Sequence, residues 1–258
     1  MSAADTPDET EPSGPRIGGL RARYVRHVTP EHLGQRVSIR HLVDDRERGT
    51  VPSDVVGRLV GGDDDTLLVV DRAGQLHVID PRRVLASRTV PAHPRLEPEP
   101  DVGTPEAPLP RDAARVLLLD DRDQVLLVAH APDERRRVWT APGGGLHPGE
   151  SHEHAAAREL AEEIGIEVAL GPWVWSRRVT FELRGCWIDQ SERWFLARTR
   201  RADADAAPLD DLGALAARWW TTGELEDTEA ELAPSALPRH LAALLSDGPP
   251  DTPVDVGR

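Results

Sequence analysis

Residues 144–166 read GGLHPGESHEHAAARELAEEIGI. Gly144 is followed after five residues by Glu150. Seven residues further on come Arg158-Glu159-Leu160, then Ala161, Glu162-Glu163, Ile164, Gly165 and Ile166. Ser151 to Ile164 predicts a helix, and Gly165 suits the left-handed position that ends one. At about 100° per residue, with Glu159 as zero, Glu163 lies near 40° and Glu162 near 300°, so three carboxylates share an arc of about 100°. Leu160, Ile164, Ala157 and Ala161 fall on a neighbouring arc and are expected to face a core. Glu159 and Glu163 repel at i,i+4. Such a patch makes sense if hard divalent cations bind it, and clustered carboxylates suit Mg2+ or Mn2+. These ions would bridge phosphate oxygens and offset charge on a leaving group, while a carboxylate orients or deprotonates the attacking water. Arg158 is within i,i+4 reach of Glu162. Pro142-Gly143-Gly144-Gly145 reads as the loop entering the helix, with a backbone able to approach metal or phosphate closely.

The spacing G-x5-E-x7-R-E-U-x-E-E-x-G-U, with U aliphatic, resembles the signature of the Nudix hydrolases at every defined position. The resemblance covers about residues 113–247. It implies an α/β/α sandwich and a metal-dependent pyrophosphohydrolase. The implied substrate is nucleotide-type: a nucleoside diphosphate linked to another moiety, such as a nucleoside triphosphate or a nucleotide sugar. It assigns Glu159, Glu162 and Glu163 to the catalytic and metal-binding group, with Glu159 on the water and Glu163 as an essential ligand. Arg158 would fix a neighbouring carboxylate, Glu150 would serve the loop and helix, and the carbonyl near Gly144 would join the metal ligands. Gly143, Gly145 and the outlying Glu192 are the further candidates for substrate binding. The marker proline of ADP-ribose pyrophosphatases is missing from Thr180-Phe181-Glu182-Leu183, and the tyrosine of dinucleoside-polyphosphate hydrolases from Arg184-Gly185-Cys186. An alternative of another class is a nucleotide sensor that uses the same fold without hydrolysis. Retention of every box glutamate favours catalysis.

Around this segment the chain divides by composition. Residues 1–16 and 248–258 are rich in Pro and acidic residues and are expected to be disordered tails. Residues 91–111 carry seven prolines, at 91, 94, 98, 100, 105, 108 and 110, and read as a semi-stiff linker. Residues 17–90 show short apolar runs at Arg36–Leu42, Val55–Val60, Thr66–Asp71 and Gln75–Ile79, then a Pro81–Val84 turn and a last strand at Leu85–Val90. Five short strands suggest a small barrel, and the pattern resembles the SH3-like barrel that precedes some bacterial acetyltransferase domains. In residues 112–247, strands are expected at Arg115–Leu119, Val125–Ala129, Val168–Glu182, Cys186–Arg198 and Arg218–Thr221, with a terminal helix at Pro238–Leu245. The whole is an α+β chain.

His147, His152 and His154 flank the helix, but i,i+2 residues do not share a face, so surface histidines are the default. Trp173, Trp175, Trp187, Trp194, Trp219 and Trp220 supply core area, with base stacking open to any one of them. Arg177, Arg178, Arg184 and Arg193 are candidates for phosphate or for surface ion pairs.

The formal net charge is −14 with no lysine. That field opposes strong non-specific nucleic-acid binding, although metal ions can still carry a small phosphorylated substrate in. Cys186 is the single cysteine, so an intrachain disulfide is excluded. No apolar run is long enough for a bilayer. The polar, acidic start is unlike a secretory signal, so a cytoplasmic protein is expected. The barrel is a candidate surface for a protein partner, and a homodimer is left open.

Overall fold

The computed structural model describes residues 16–17, 20–21, 28–45, 49–90, 103–133, 136–201 and 214–257. The expectations for residues 1–15, for 91–102 and for Arg258 lie outside the described residues. The chain forms two compact units, 1–99 and 100–258.

In the first unit a five-stranded sheet is antiparallel throughout. Its strands are β3 (Arg36–Asp45), β4 (Gly49–Gly62), β5 (Leu67–Asp71), β6 (Leu76–Ile79) and β7 (Val84–Thr89), after a two-residue pair β1 (Arg16–Ile17) and β2 (Leu20–Arg21). The sheet order is β6-β5-β4-β3-β7. Val37, Ile39, Leu59, Leu67, Val69 and Ile79 alternate inward and form its core. Gly57 is required where β4 meets β5, since a Cβ there would overlap the Val70 carbonyl. Pro81–Arg83 forms a 3-10 turn, started by Asp80, whose carboxylate accepts from Arg82 N at 2.7 Å.

The second unit is a mixed, mostly β structure. β8 (Leu109–Leu119), β13 (Cys186–Arg198) and β12 (Leu170–Leu183) lie side by side, β8 parallel to β13 and β13 antiparallel to β12. A hairpin leads from β8 into β9 (Val125–Asp133), which is flanked by β10 (Arg136–Thr140) and β14 (Ala214–Trp220). β11 (Gly143–Gly145) pairs with β8. β15 (Glu231–Ala233) runs parallel to β10.

Three helices complete the described part of this unit: α1 (His152–Ile164), α2 (Thr222–Asp227) and α3 (Leu237–Asp247). Ser151 caps α1 by accepting from His154 N, and Gly165 ends it at φ 72°. Thr221 and Glu224 form a reciprocal capping box on α2. One sheet face packs Ala114, Val116, Val128 and Phe195 against Ala155, Ala156, Leu160 and Ile164 of α1. The other packs Leu117, Leu119, Trp175 and Trp194 against Leu237, Leu241 and Leu244 of α3. No described helix is long and apolar enough to cross a membrane.

Several expectations need correction. The 248–258 segment is not a loose tail over its described part: β16 (Val254–Asp255) adds to the edge of β12, and Val256 is buried. A valine at 256 gives the segment an apolar anchor that its Pro and Asp content concealed. Residues 109–111 belong to β8 rather than to the linker. The glycines at 143–145 form an edge strand rather than a loop. On α1, Ala155 and Ala156 are fully buried, whereas Ala157 and Ala161 are only half-buried.

Candidate active site

Arg158 is the hub of the box. Its side chain is only 12% exposed. Nε and Nη2 donate to Glu150 Oε1 and Oε2, each at 2.9 Å, a bidentate fork. Nη1 donates to Glu159 Oε1 at 2.8 Å and to Glu162 Oε2 at 2.9 Å, and Nη2 also reaches the Gly145 carbonyl at 3.1 Å. Burial works against this cation, but the surrounding carboxylates outweigh it and hold the guanidinium charged. Burial likewise works to raise Glu150; Arg158 and the His147 N–H, 2.8 Å away, outweigh it and lower the carboxyl. Glu150 thus ties the loop to the helix.

Glu163 differs from its neighbours. It lies on the anionic arc yet is 8% exposed, and its Oε2 accepts from Gly143 N at 2.8 Å. Burial, opposed by Arg115 and reinforced by Glu159 and Glu162, pushes it up to about 7. Glu159 rests against the loop strand so closely that a Cβ at Gly144 would overlap its carboxylate. On the next residue a Cβ at Gly145 would fall 2.5 Å from Arg111 Nη2. Adjacent residues of a strand present opposite faces, so Gly144 admits a carboxylate on one side and Gly145 a guanidinium on the other.

As the side chains stand, no group of three or more His, Cys, Asp or Glu among the described residues is gathered to hold a metal. The donor chemistry nevertheless fits a hard divalent ion. Glu159, Glu162, Glu163 and the backbone beside Gly144 offer only oxygens, and the upward push on Glu163 by its neighbours marks negative charge that a cation would offset. His147, His152 and His154 add no described metal group.

Glu192 lies outside this cluster. Gln190 Nε2 donates to its Oε1 at 2.7 Å and Trp194 Nε1 to its Oε2 at 3.0 Å. Arg115 and Arg177 approach it at 3.5 Å. Burial tends to raise it, but these two arginines outweigh that and keep the carboxyl below its ordinary range. A strand read as Arg115–Leu119 leaves Arg111 outside it and makes Arg115 a terminal residue, whereas the strand begins at Leu109. Extending the period-two pattern back through Arg111, Ala113, Arg115 and Leu117 would have placed both arginines on the Leu117 face.

The aromatic residues divide by role. Trp175 and Trp194 are core, with ring centroids 5.8 Å apart. Trp173 carries the Arg193 guanidinium at 4.3 Å. Trp220 meets Trp139 edge-on at 5.3 Å and carries Arg218 at 4.1 Å. Arg178 pairs with Asp189 at the surface. A cavity of 360 Å3 opens beside Trp173, His152, Asp112, Arg177 and Glu192. A larger groove of 640 Å3, by Leu225, Leu232 and Pro238, is lined by none of the box residues.

The family model for the NUDIX domain matches residues 109–240. An RNA pyrophosphohydrolase of Erythrobacter litoralis is 31% identical over 108 residues, covering 37% of this chain and 65% of that protein. The RNA pyrophosphohydrolase of Salmonella arizonae is 35% identical over 78 residues, covering 26% of this chain and 44% of that protein. The chain therefore spans less than two thirds of either relative. Among solved structures, the MutT protein of Methanosarcina mazei aligns at a TM-score of 0.44 and 20% identity, over 55% of this chain and 99% of that one.

Proposed function

The chain belongs to the Nudix family, and on that premise we propose that its second unit hydrolyses the pyrophosphate linkage of a nucleoside diphosphate joined to another moiety. The observation that carries this reading is the crowding of Glu159, Glu162 and Glu163 beside a glycine strand, with one of them buried and pushed up to about 7. A helix built only for stability would intersperse cations here.

In this reading Glu159, Glu162, Glu163 and the Gly144 carbonyl would hold Mg2+ or Mn2+. The ion would supply Lewis-acid stabilisation of charge on the phosphate oxygens. Arg158 positions the carboxylates: it grips Glu150 by a fork and draws Glu159 and Glu162 to one Nη. Gly143 N–H fixes Glu163 through Oε2. Glu159, which lies against Gly144, would take the proton of the attacking water. Gly143 and Gly145 let the strand lie close against the Ala114 carbonyl and the Arg111 guanidinium.

Product formation from a panel tests the reading, each cleavage by water being read as the nucleoside monophosphate (or 5′-monophosphorylated end) formed together with the released X-phosphate or pyrophosphate. The panel holds nucleoside triphosphates, ADP-ribose, a dinucleoside polyphosphate and a 5′-triphosphorylated oligoribonucleotide, the last suggested by the names of the two relatives. Turnover of at least one member that requires Mg2+ or Mn2+ is expected. Nucleotide binding without turnover of any member would replace it with the sensor reading.

We also propose that the first unit is an SH3-like barrel. The order β6-β5-β4-β3-β7, antiparallel throughout, and the 3-10 turn before β7 support it. Deleting residues 1–99 separates its role: unchanged turnover makes it a recruitment or dimerisation module, and lost turnover with the fold intact ties it to the active site.

A further inference from the structure

On the sheet face that carries Leu117, Trp175 and Trp194, two guanidinium groups stand at 3.5 Å from one carboxylate and a third is joined to it through Gln190. Arg111 and Arg115 come from β8, Arg177 from β12 and Glu192 from β13. Glu192 already accepts from Gln190 and Trp194, and the two arginines beside it stand at 3.5 Å, beyond a good hydrogen bond. Nε of Arg115 and Nε of Arg177 are buried with no hydrogen-bond partner. Arg111 spends Nη1 on the Gln190 side-chain oxygen, and Arg115 spends Nη1 on the carbonyls of Ala141 and Gly143. Burial pushes Arg111 and Arg177 down despite the opposing pull of Glu192, so both sites are short of negative charge. Positive charge left over in a partly buried place is costly unless an acceptor arrives. Planar forks of this kind suit phosphate oxygens.

Arg115 acts electrostatically on Glu163, and Arg111 on Glu159. β11, the thin strand between the two groups, pairs with β8 alone among the described strands. Of the groups named, Arg177 and Glu192 line the 360 Å3 cavity beside Trp173 and His152, which gives the cluster its opening.

We infer that Arg111, Arg115 and Arg177 form an anion subsite that takes a phosphate group of the substrate chain lying outside the metal-binding carboxylates. The inference deepens the hydrolase reading and rests on it for the identity of the substrate. Glu192 is then the counter-ion that keeps the arginines ordered while the subsite is empty, and it competes with the phosphate for them.

The test uses full-length protein in EDTA and inorganic pyrophosphate as probe. Binding is followed by calorimetry and by tryptophan fluorescence, since Trp194 bonds Glu192 directly. Wild type is expected to bind saturably. Arg177→Gln should weaken binding about tenfold or more, the loss of a charge-assisted hydrogen bond, and Glu192→Gln should tighten it severalfold. A purely structural network would lose stability in both variants and tighten in neither. Arg177→Lys keeps a charge without the fork, and it should bind between wild type and Arg177→Gln if the glutamine variant fails to fold. Absence of binding by wild type, or equal binding by all proteins, overturns the inference. Turnover is not read, so failure here leaves hydrolysis standing, and failure of the hydrolysis panel leaves this result standing.

Discussion

Two ionic clusters flank the same glycine strand with opposite charge ratios. Around Arg158, one guanidinium serves Glu150, Glu159 and Glu162, with Glu163 beside them. Around Glu192, one carboxylate serves Arg115 and Arg177, with Arg111 beside them. A cluster built only to stabilise a fold tends to balance its charges, because an excess buried charge costs more than the pair returns. Here the two excesses have opposite sign. The first is what a divalent cation would offset and the second what a phosphate would offset, and a metal-bound polyphosphate carries both.

The largest expected effect comes from removing the hub of the acidic cluster. Arg158→Met leaves three carboxylates without their shared cation. Breaking a buried pair in this way costs about 3–5 kcal/mol. Urea denaturation should show it, and an unchanged midpoint would mean the carboxylates do not depend on Arg158. Next is Gly144→Ala. The added Cβ overlaps the Glu159 carboxylate and must displace it. A shift of that size is expected to cost about 10²-fold in kcat while the melting temperature moves little; normal turnover would remove Glu159 from the reaction.

Smaller effects sharpen the contrast further. Glu163 sits near 7 in the fold against an ordinary 4.5. Below pH 4.5 it is protonated whether folded or not, and its contribution is intact. As pH rises from 4.5 through 7 the unfolded chain ionises first, so metal-free protein loses stability over that window. Mg2+ should therefore raise the melting temperature more at pH 8 than at pH 5, and equal shifts would argue that the cation binds elsewhere. The smallest effect is at the surface. Arg178 is 75% exposed and pairs with Asp189. Arg178→Ala should leave both melting temperature and turnover unchanged, and a clear loss of turnover would mean that the substrate reaches this edge.

The sequence made some of this legible and hid the rest for identifiable reasons. The box helix and its ends were readable because Ser151, Gly165 and the apolar spacing act within a few residues of each other. The strands at 125–133, 170–183 and 186–198 were readable from apolar and aromatic residues that recur along each of them. Long-range partners were not. Val256 gains its burial from a sheet edge some eighty residues away, at Trp175 and Ser176. β15 lies in a stretch of acidic residues and is held by β10. The burial of Glu163 depends on the Gly143 N–H, which local periodicity does not encode. Arg111 and Arg115 carry a period-two signal, but their meaning depends on Glu192 and Arg177 arriving from two other strands.

The most direct measurement is turnover of the best panel substrate by Glu163→Gln with Mg2+ present, alongside the binding of that substrate. The substitution keeps the shape and removes the charge. Turnover should fall by orders of magnitude with the protein folded and the nucleotide still bound. Turnover close to wild type would place the chemistry outside the box carboxylates and contradict the assignment.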